Sequence, residues 1–118
     1  MNKFTKARQK IAEEYRKKIT NNKIKFLESK EGRSHVYHQF VILTEDRESV
    51  REKLLKNKIE TGIHYPFSLN TLPPLTKETS YNHCPISEHS VRRVLSLPIY
   101  PELKSDEIQW IIKCVNDL

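Results

Sequence analysis

HVYHQFVILTEDRESVREKLL, residues 35–55, carries the change of period that decides the fold. Its first part, His35 to Leu43, is aromatic and β-branched, the composition of a strand buried on both faces. Thr44-Glu45-Asp46 then supplies candidate helix N-caps. Val50, Leu54 and Leu55 form the inner stripe of the helix that follows. Asn57 is its expected left-handed stop, because Asn tolerates that conformation better than most residues.

Outward from this unit the pattern continues. Phe4, Ala7, Ile11, Tyr15 and Ile19 recur every three or four residues, which predicts an amphipathic first helix ended by Thr20-Asn21-Asn22. Lys30-Glu31-Gly32-Arg33-Ser34 reads as a loop. Ile59 to His64 predicts a short strand, and Pro66 to about Pro85 an irregular stretch long enough to be functional or disordered. Ser87 is a candidate cap for a short helix, and Val94-Leu95-Ser96-Leu97 a short strand closed by Pro98 and Pro101. Ser105 is the expected cap of a last helix, with Asp106 and Glu107 in its first turn and Ile108, Ile111, Ile112, Val115 and Leu118 along its stripe. Three short strands separated by helices imply an α+β fold over residues 1–118, a single domain with a small sheet and helices packed on it. The strand order is not set by these observations.

At 118 residues, one core is the natural limit. The net charge of +6 is uneven: residues 1–58 hold 16 Lys and Arg against 8 Asp and Glu, and residues 59–118 hold 5 against 7. A basic half fits a polyanion- or nucleic-acid-binding module, but also a solvated helix face. No recognition helix or stacking motif accompanies it, so nucleic acid is not the favoured partner. Cys84 and Cys114 sit in no paired motif and are expected to be free thiols in a reducing compartment. No apolar run approaches the ~20 residues that span a bilayer, and no signal peptide is visible. These features predict a cytoplasmic protein with no membrane partner.

Few residues nominate themselves for chemistry. Nucleotide-phosphate loops need glycines for close backbone approach, and the two here, Gly32 and Gly62, lie in no such loop. His35 and His38, three apart on a predicted strand, point to opposite faces. His83, Cys84 and His89 match no zinc spacing well, and no metal site is expected. Nucleophilic catalysis by Cys84 or Ser96 would need an adjacent base and an orienting third group, and nothing in the sequence nominates them. Thr61-Gly62-Ile63-His64-Tyr65-Pro66 stands out, because a strand end delivers an imidazole and a phenol into a long loop, where sites are built. Core packing of His64 and Tyr65 is the competing reading of that segment.

Several motifs in order carry a resemblance. Val36-Tyr37-His38-Gln39-Phe40-Val41-Ile42, Asp46, Glu60-Thr61-Gly62-Ile63-His64-Tyr65-Pro66, Cys84-Pro85-Ile86-Ser87-Glu88 and Val94-Leu95-Ser96-Leu97-Pro98-Ile99-Tyr100-Pro101-Glu102-Leu103 together resemble the C-terminal part of the DegT/DnrJ/StrS-type sugar aminotransferases. The helix from Ala7 to Tyr15 is similar to the Arg-rich helix that enters that family's small domain. The resemblance covers almost the whole chain. It implies the small domain of a fold-type I aminotransferase, an antiparallel sheet covered by helices. It also implies pyridoxal phosphate as the cofactor of the complete enzyme and a nucleotide-sugar as substrate. The chain would lack the large domain with its Schiff-base lysine, so it would be inactive alone, hold no cofactor covalently and carry no catalytic residue. His64 and Tyr65, with Asn70 third, would contact the nucleotide-sugar. The partners implied are a large domain, or a second copy meeting an exposed apolar face. Two departures stand out: Lys58 occupies a position where the family often has glycine, which moves the expected turn to Asn57, and Ser68-Leu69-Asn70 replaces the family's common Pro-Leu-His.

Overall fold

The computed structural model describes residues 2–72 and 83–118. In chain order it contains α1 (Asn2–Lys18), β1 (Lys25–Phe26), β2 (Phe40–Leu43), α2 (Arg47–Lys56), a 3-10 turn (Leu69–Thr71), α3 (Pro85–Ser90), β3 (Val94–Leu97) and α4 (Ser105–Asn116). The strands form one antiparallel sheet in the order β1-β2-β3. Lys25 and Phe26 pair with Leu43 and Ile42, while Phe40 to Leu43 pair with Leu97 to Val94. This is the α+β class that the alternating periods imply, and the sheet is antiparallel as the resemblance required.

Phe40, Ile42, Leu95 and Leu97 send buried side chains into a core shared with Ile11, Ala12 and Tyr15 of α1, Leu54 of α2, and Ile108, Ile111, Ile112 and Val115 of α4. Tyr15 is fully buried, its ring edge-on to Phe40 at 5.0 Å and its hydroxyl donating to the Pro98 carbonyl at 2.8 Å. The two long helices close on each other through exchanged asparagines. Asn116 Oδ1 accepts from the Thr20 N–H and its amide donates to the Lys18 carbonyl, while the Asn21 amide donates to the Val115 carbonyl. These bonds satisfy orphan carbonyls at both C-termini. No described helix is long and apolar enough to cross a membrane. Cys84 is exposed and Cys114 buried, both as free thiols.

The sequence-based expectations fail at five places, four of them at the start of an element or along a strand. The strand predicted from His35 begins only at Phe40. Tyr37 is left-handed, with φ of 47°, and its N–H donates to His35 Nδ1 at 2.8 Å. Arg8 and Gln9 of α1 donate to the carbonyls of Val36 and His35, so these groups bond to helix side chains instead of a ladder. The strand predicted over Ile59 to His64 is reduced to a single bridge between Gly62 and Ser96, and β1 takes its place as the third strand. Ser87 does not cap α3, which starts with Pro85 in its first turn after Cys84. Ser105 is the first residue of α4, not its cap. The cap position belongs to Lys104, whose N–H donates to the Glu107 carboxylate reaching back at 2.8 Å.

The end of α2 is also displaced by one residue from expectation. Asn57 keeps φ of −90°, and Lys58 takes the left-handed position at 60°. Ile59 N–H donates to the Leu54 carbonyl at 2.9 Å and Lys58 N–H to the Leu55 carbonyl at 2.8 Å. This is the paired closure of a Schellman motif, and its accompanying apolar contact joins positions filled here by the buried Leu54 and Ile59. A left-handed non-glycine residue costs roughly 1–2 kcal/mol, part of which glycine returns through its freer unfolded chain. Lys58→Gly is therefore expected to stabilise the fold by about 0.5–1 kcal/mol. Urea titration of the two proteins checks this, and a lower midpoint for the variant would contradict the assignment.

Candidate functional site

Gly62 has no side chain, and the space above it is used. A Cβ placed there would lie 2.3 Å from Cε1 of His64. The imidazole folds back over the glycine, and its Nδ1 lies 3.0 Å from Ser96 Oγ. Below it, Gly62 and Ser96 exchange both backbone hydrogen bonds, at 3.0 and 2.7 Å. Tyr65 follows across a cis peptide bond, with its ring edge-on to the imidazole at 5.9 Å. Both side chains are exposed, Tyr65 to 73%, so neither belongs to the core.

Asn70 is placed differently. Its Oδ1 accepts from Ser68 Oγ, and its amide donates to Glu88 Oε1 of α3 at 2.7 Å. Ser68, itself buried, has its hydroxyl 2.9 Å from that of Ser87. Glu88 also accepts from the Cys84 N–H at 3.0 Å and pairs with His83 at 3.2 Å. Asn70 thus fastens the loop to α3, while His64 and Tyr65 stand at the end of the sheet. Ser68 is buried, while Tyr65, Phe67, Leu69 and, on α3, Ile86 are exposed to 73, 66, 72 and 84%.

Sequence reasoning found the His64–Tyr65 pair and missed what holds it. Ser96, which the sequence marks as a strand residue, is the hydroxyl beneath the imidazole. It lies 32 residues along the chain, so no local spacing could show the contact. Other candidate groups resolve elsewhere. His89 meets Arg93 at 3.1 Å, away from the His83–Glu88 pair, and no group of three or more His, Cys, Asp or Glu among the described residues could hold a metal. The basic face of α1 is partly structural, because Arg16 donates to the Leu27 carbonyl at 2.5 Å and lies over the Phe26 ring. A groove of about 630 Å³ between Lys58, Tyr100 and Trp110 includes none of the three predicted site residues. Lys58, Glu60, Asp106 and Glu107 give its lining charges of both signs, whereas the constellation at His64 joins two of the predicted site residues through defined contacts and is the better candidate.

Residues 1–116 match the DegT/DnrJ/EryC1/StrS aminotransferase family. The chain belongs to this family. Among relatives of DegT/DnrJ/EryC1/StrS type, it is 31% identical over 113 residues to the UDP-N-acetyl-3-dehydro-alpha-D-glucosamine 3-aminotransferase of Acidithiobacillus ferrooxidans, covering 96% of this chain and 30% of the relative. It is 33% identical over 114 residues to the dTDP-3-amino-3,6-dideoxy-alpha-D-galactopyranose transaminase of Aneurinibacillus thermoaerophilus, covering 92% and 30%. The crystal structure of S. venezuelae DesV in complex with a ketimine intermediate superposes with a TM-score of 0.89 at 26% identity, over 98% of this chain and 32% of that one. The chain spans about 30% of the length of the family members it matches.

Proposed function

We propose that the chain is the C-terminal small domain of a pyridoxal-phosphate-dependent nucleotide-sugar aminotransferase. The observation that carries the reading is a family match over residues 1–116 combined with coverage of only about 30% of the relatives. In it, His64 and Tyr65 bind the nucleotide-sugar, and Asn70 contributes by fastening the loop beside them to α3. The partner is a large domain that meets the exposed surface of Tyr65, Phe67, Leu69 and Ile86, and the setting is the cytoplasm. An imidazole N–H and a phenol are suitable donors to phosphate and hydroxyl oxygens.

The site does not fit the cofactor by itself. Among the described residues, the groups brought to His64 are the Tyr65 phenol, the Ser96 hydroxyl and the Gly62 backbone. That set holds no amine to form an imine and no carboxylate for a pyridine nitrogen. The space over Gly62 is already covered by the imidazole, so its backbone offers no phosphate cradle. This chain's part is therefore to bind and orient substrate, and the amine chemistry belongs to the rest of the enzyme. Incubation of the chain with pyridoxal phosphate, borohydride reduction and peptide mapping is expected to give only scattered, substoichiometric labelling of surface lysines. One stoichiometrically labelled lysine would overturn this division of labour.

A further inference from the structure

We propose that Ser96 and Gly62 are positioning residues for His64, holding its ring so that Nε2–H is presented as a hydrogen-bond donor in both the neutral and the charged imidazole. The inference rests on the reading that His64 faces a ligand only for its use; the geometry stands alone.

The ring is pinned from two sides. Ser96 is only 7% exposed and lies in the middle of β3, paired with Val41 on one side and Gly62 on the other. Its hydroxyl is therefore a fixed point, 3.0 Å from His64 Nδ1. The second support is steric. The ring edge occupies the place of a Cβ at residue 62, with Cε1 2.3 Å and Nε2 3.3 Å from that position. Any side chain there would displace it. The reciprocal Gly62–Ser96 backbone bonds keep the two supports in register.

The choice of a hydroxyl has a chemical consequence. A carbonyl or carboxylate accepts only, whereas a serine both donates and accepts. Beneath a neutral imidazole, Ser96 donates to Nδ1, which leaves the ring proton on Nε2. When the ring is charged, Nδ1–H donates to the same oxygen, and Nε2–H remains. One anchor thus serves both protonation states, and Nε2–H stays available to a phosphate or hydroxyl oxygen. Among the described residues, the titratable Tyr65 lies edge-on to the ring at 5.9 Å.

Imidazole ¹⁵N shifts and ring-to-backbone NOEs of the full chain, without ligand, test this across the titration of His64. The wild type is expected to show Nε2 protonated at both ends and a persistent NOE from His64 Hε1 to the Gly62 α-protons. In Ser96→Ala that NOE should vanish and the shifts should move to those of a free histidine, with the backbone spectrum otherwise retained. Gly62→Ala should release the ring in the same way while the hydroxyl is still present, which guards against Ser96→Ala failing to fold. A neutral ring protonated on Nδ1, or an unchanged NOE in folded Ser96→Ala, would overturn the proposal. Because no substrate is involved, an anchored ring in an enzyme indifferent to His64→Ala would count against the proposed function alone.

Discussion

Tyr15→Ala is expected to destabilise the chain by about 3–5 kcal/mol, the range for truncating a large buried aromatic. Marginal domains hold only about 5–15 kcal/mol in total, so the variant should be largely or wholly unfolded at mild denaturant. Tyr15 is fully buried and joins three elements: it rises from α1, packs edge-on against Phe40 of β2 and donates to the carbonyl of Pro98 just beyond β3. Tyr15→Phe separates the two contributions. It keeps the ring but strands the Pro98 carbonyl, for a smaller loss of about 1–3 kcal/mol. The same contact gives a pH dependence. Burial, aided by the charges of Tyr100 and Glu14, pushes the Tyr15 phenol far above its usual range. In the unfolded chain the phenol ionises near its ordinary value of about 10, while in the fold it stays protonated. The unfolded state therefore binds fewer protons at alkaline pH, and the stabilisation, complete below about pH 10, is lost as pH rises beyond it. Urea midpoints at pH 8 and pH 11 should fall further apart for the wild type than for Tyr15→Phe. A Tyr15→Ala protein with a near wild-type midpoint would show that α1 is not part of the cooperative core.

What the sequence revealed of this fold follows the length of each signal. The stripes of α1 and α4 repeat over three or more turns, so Ile11, Tyr15, Ile108, Ile112 and Val115 were identifiable as core from spacing alone. Val94–Leu97 was legible as a short apolar run between turn signals. β1 has two residues and offers no period to read. His35 to Gln39 has a strand's composition, but tertiary partners decide its conformation: Arg8 and Gln9 take its carbonyls, and a left-handed Tyr37 prevents a ladder. The stop at Lys58 did leave a trace. The apolar pair Leu54 and Ile59, five apart across the end of α2, marks Lys58 as the left-handed residue once the closure pattern is considered. At the site, sequence exposed the two side chains that reach outward, because a His-Tyr pair at a predicted strand end is a local feature. The hydroxyl and the bare glycine that orient them come from sheet pairing, which adjacency does not encode. Asn70 was nominated by its place in a resemblance, and the structure gives its amide to Ser68 and Glu88.

With a matching large domain supplied in trans or by fusion, His64→Ala and Tyr65→Phe are each expected to weaken use of the nucleotide-sugar roughly ten- to a hundredfold. Position and chemistry both lead there. His64 sits where a bridge to β3 gives way to a loop, with one side fixed against Gly62 and Ser96 and the other exposed. Loss of one hydrogen bond to a charged oxygen costs about 1.5–3 kcal/mol, which converts to that range of affinity. Folding should be spared. Tyr65 is 73% exposed, and removal of an exposed hydroxyl usually changes stability by less than about 0.5 kcal/mol. His64→Ala gives up one partly buried bond to Ser96 and a ring lying over glycine, so a modest loss of about 1 kcal/mol is allowed. Core residues would give the reverse order, with midpoints falling and substrate use intact. Asn70→Ala provides the internal contrast. Its amide ties the 3-10 turn to Glu88 of α3, so this variant should loosen the loop and impair substrate use only through the loop's position. Steady-state kcat/KM with the nucleotide-sugar and urea midpoints on the same three variants decide the matter. If His64→Ala and Tyr65→Phe retain full kcat/KM in a complex with normal activity, the substrate-binding assignment of this pair is wrong.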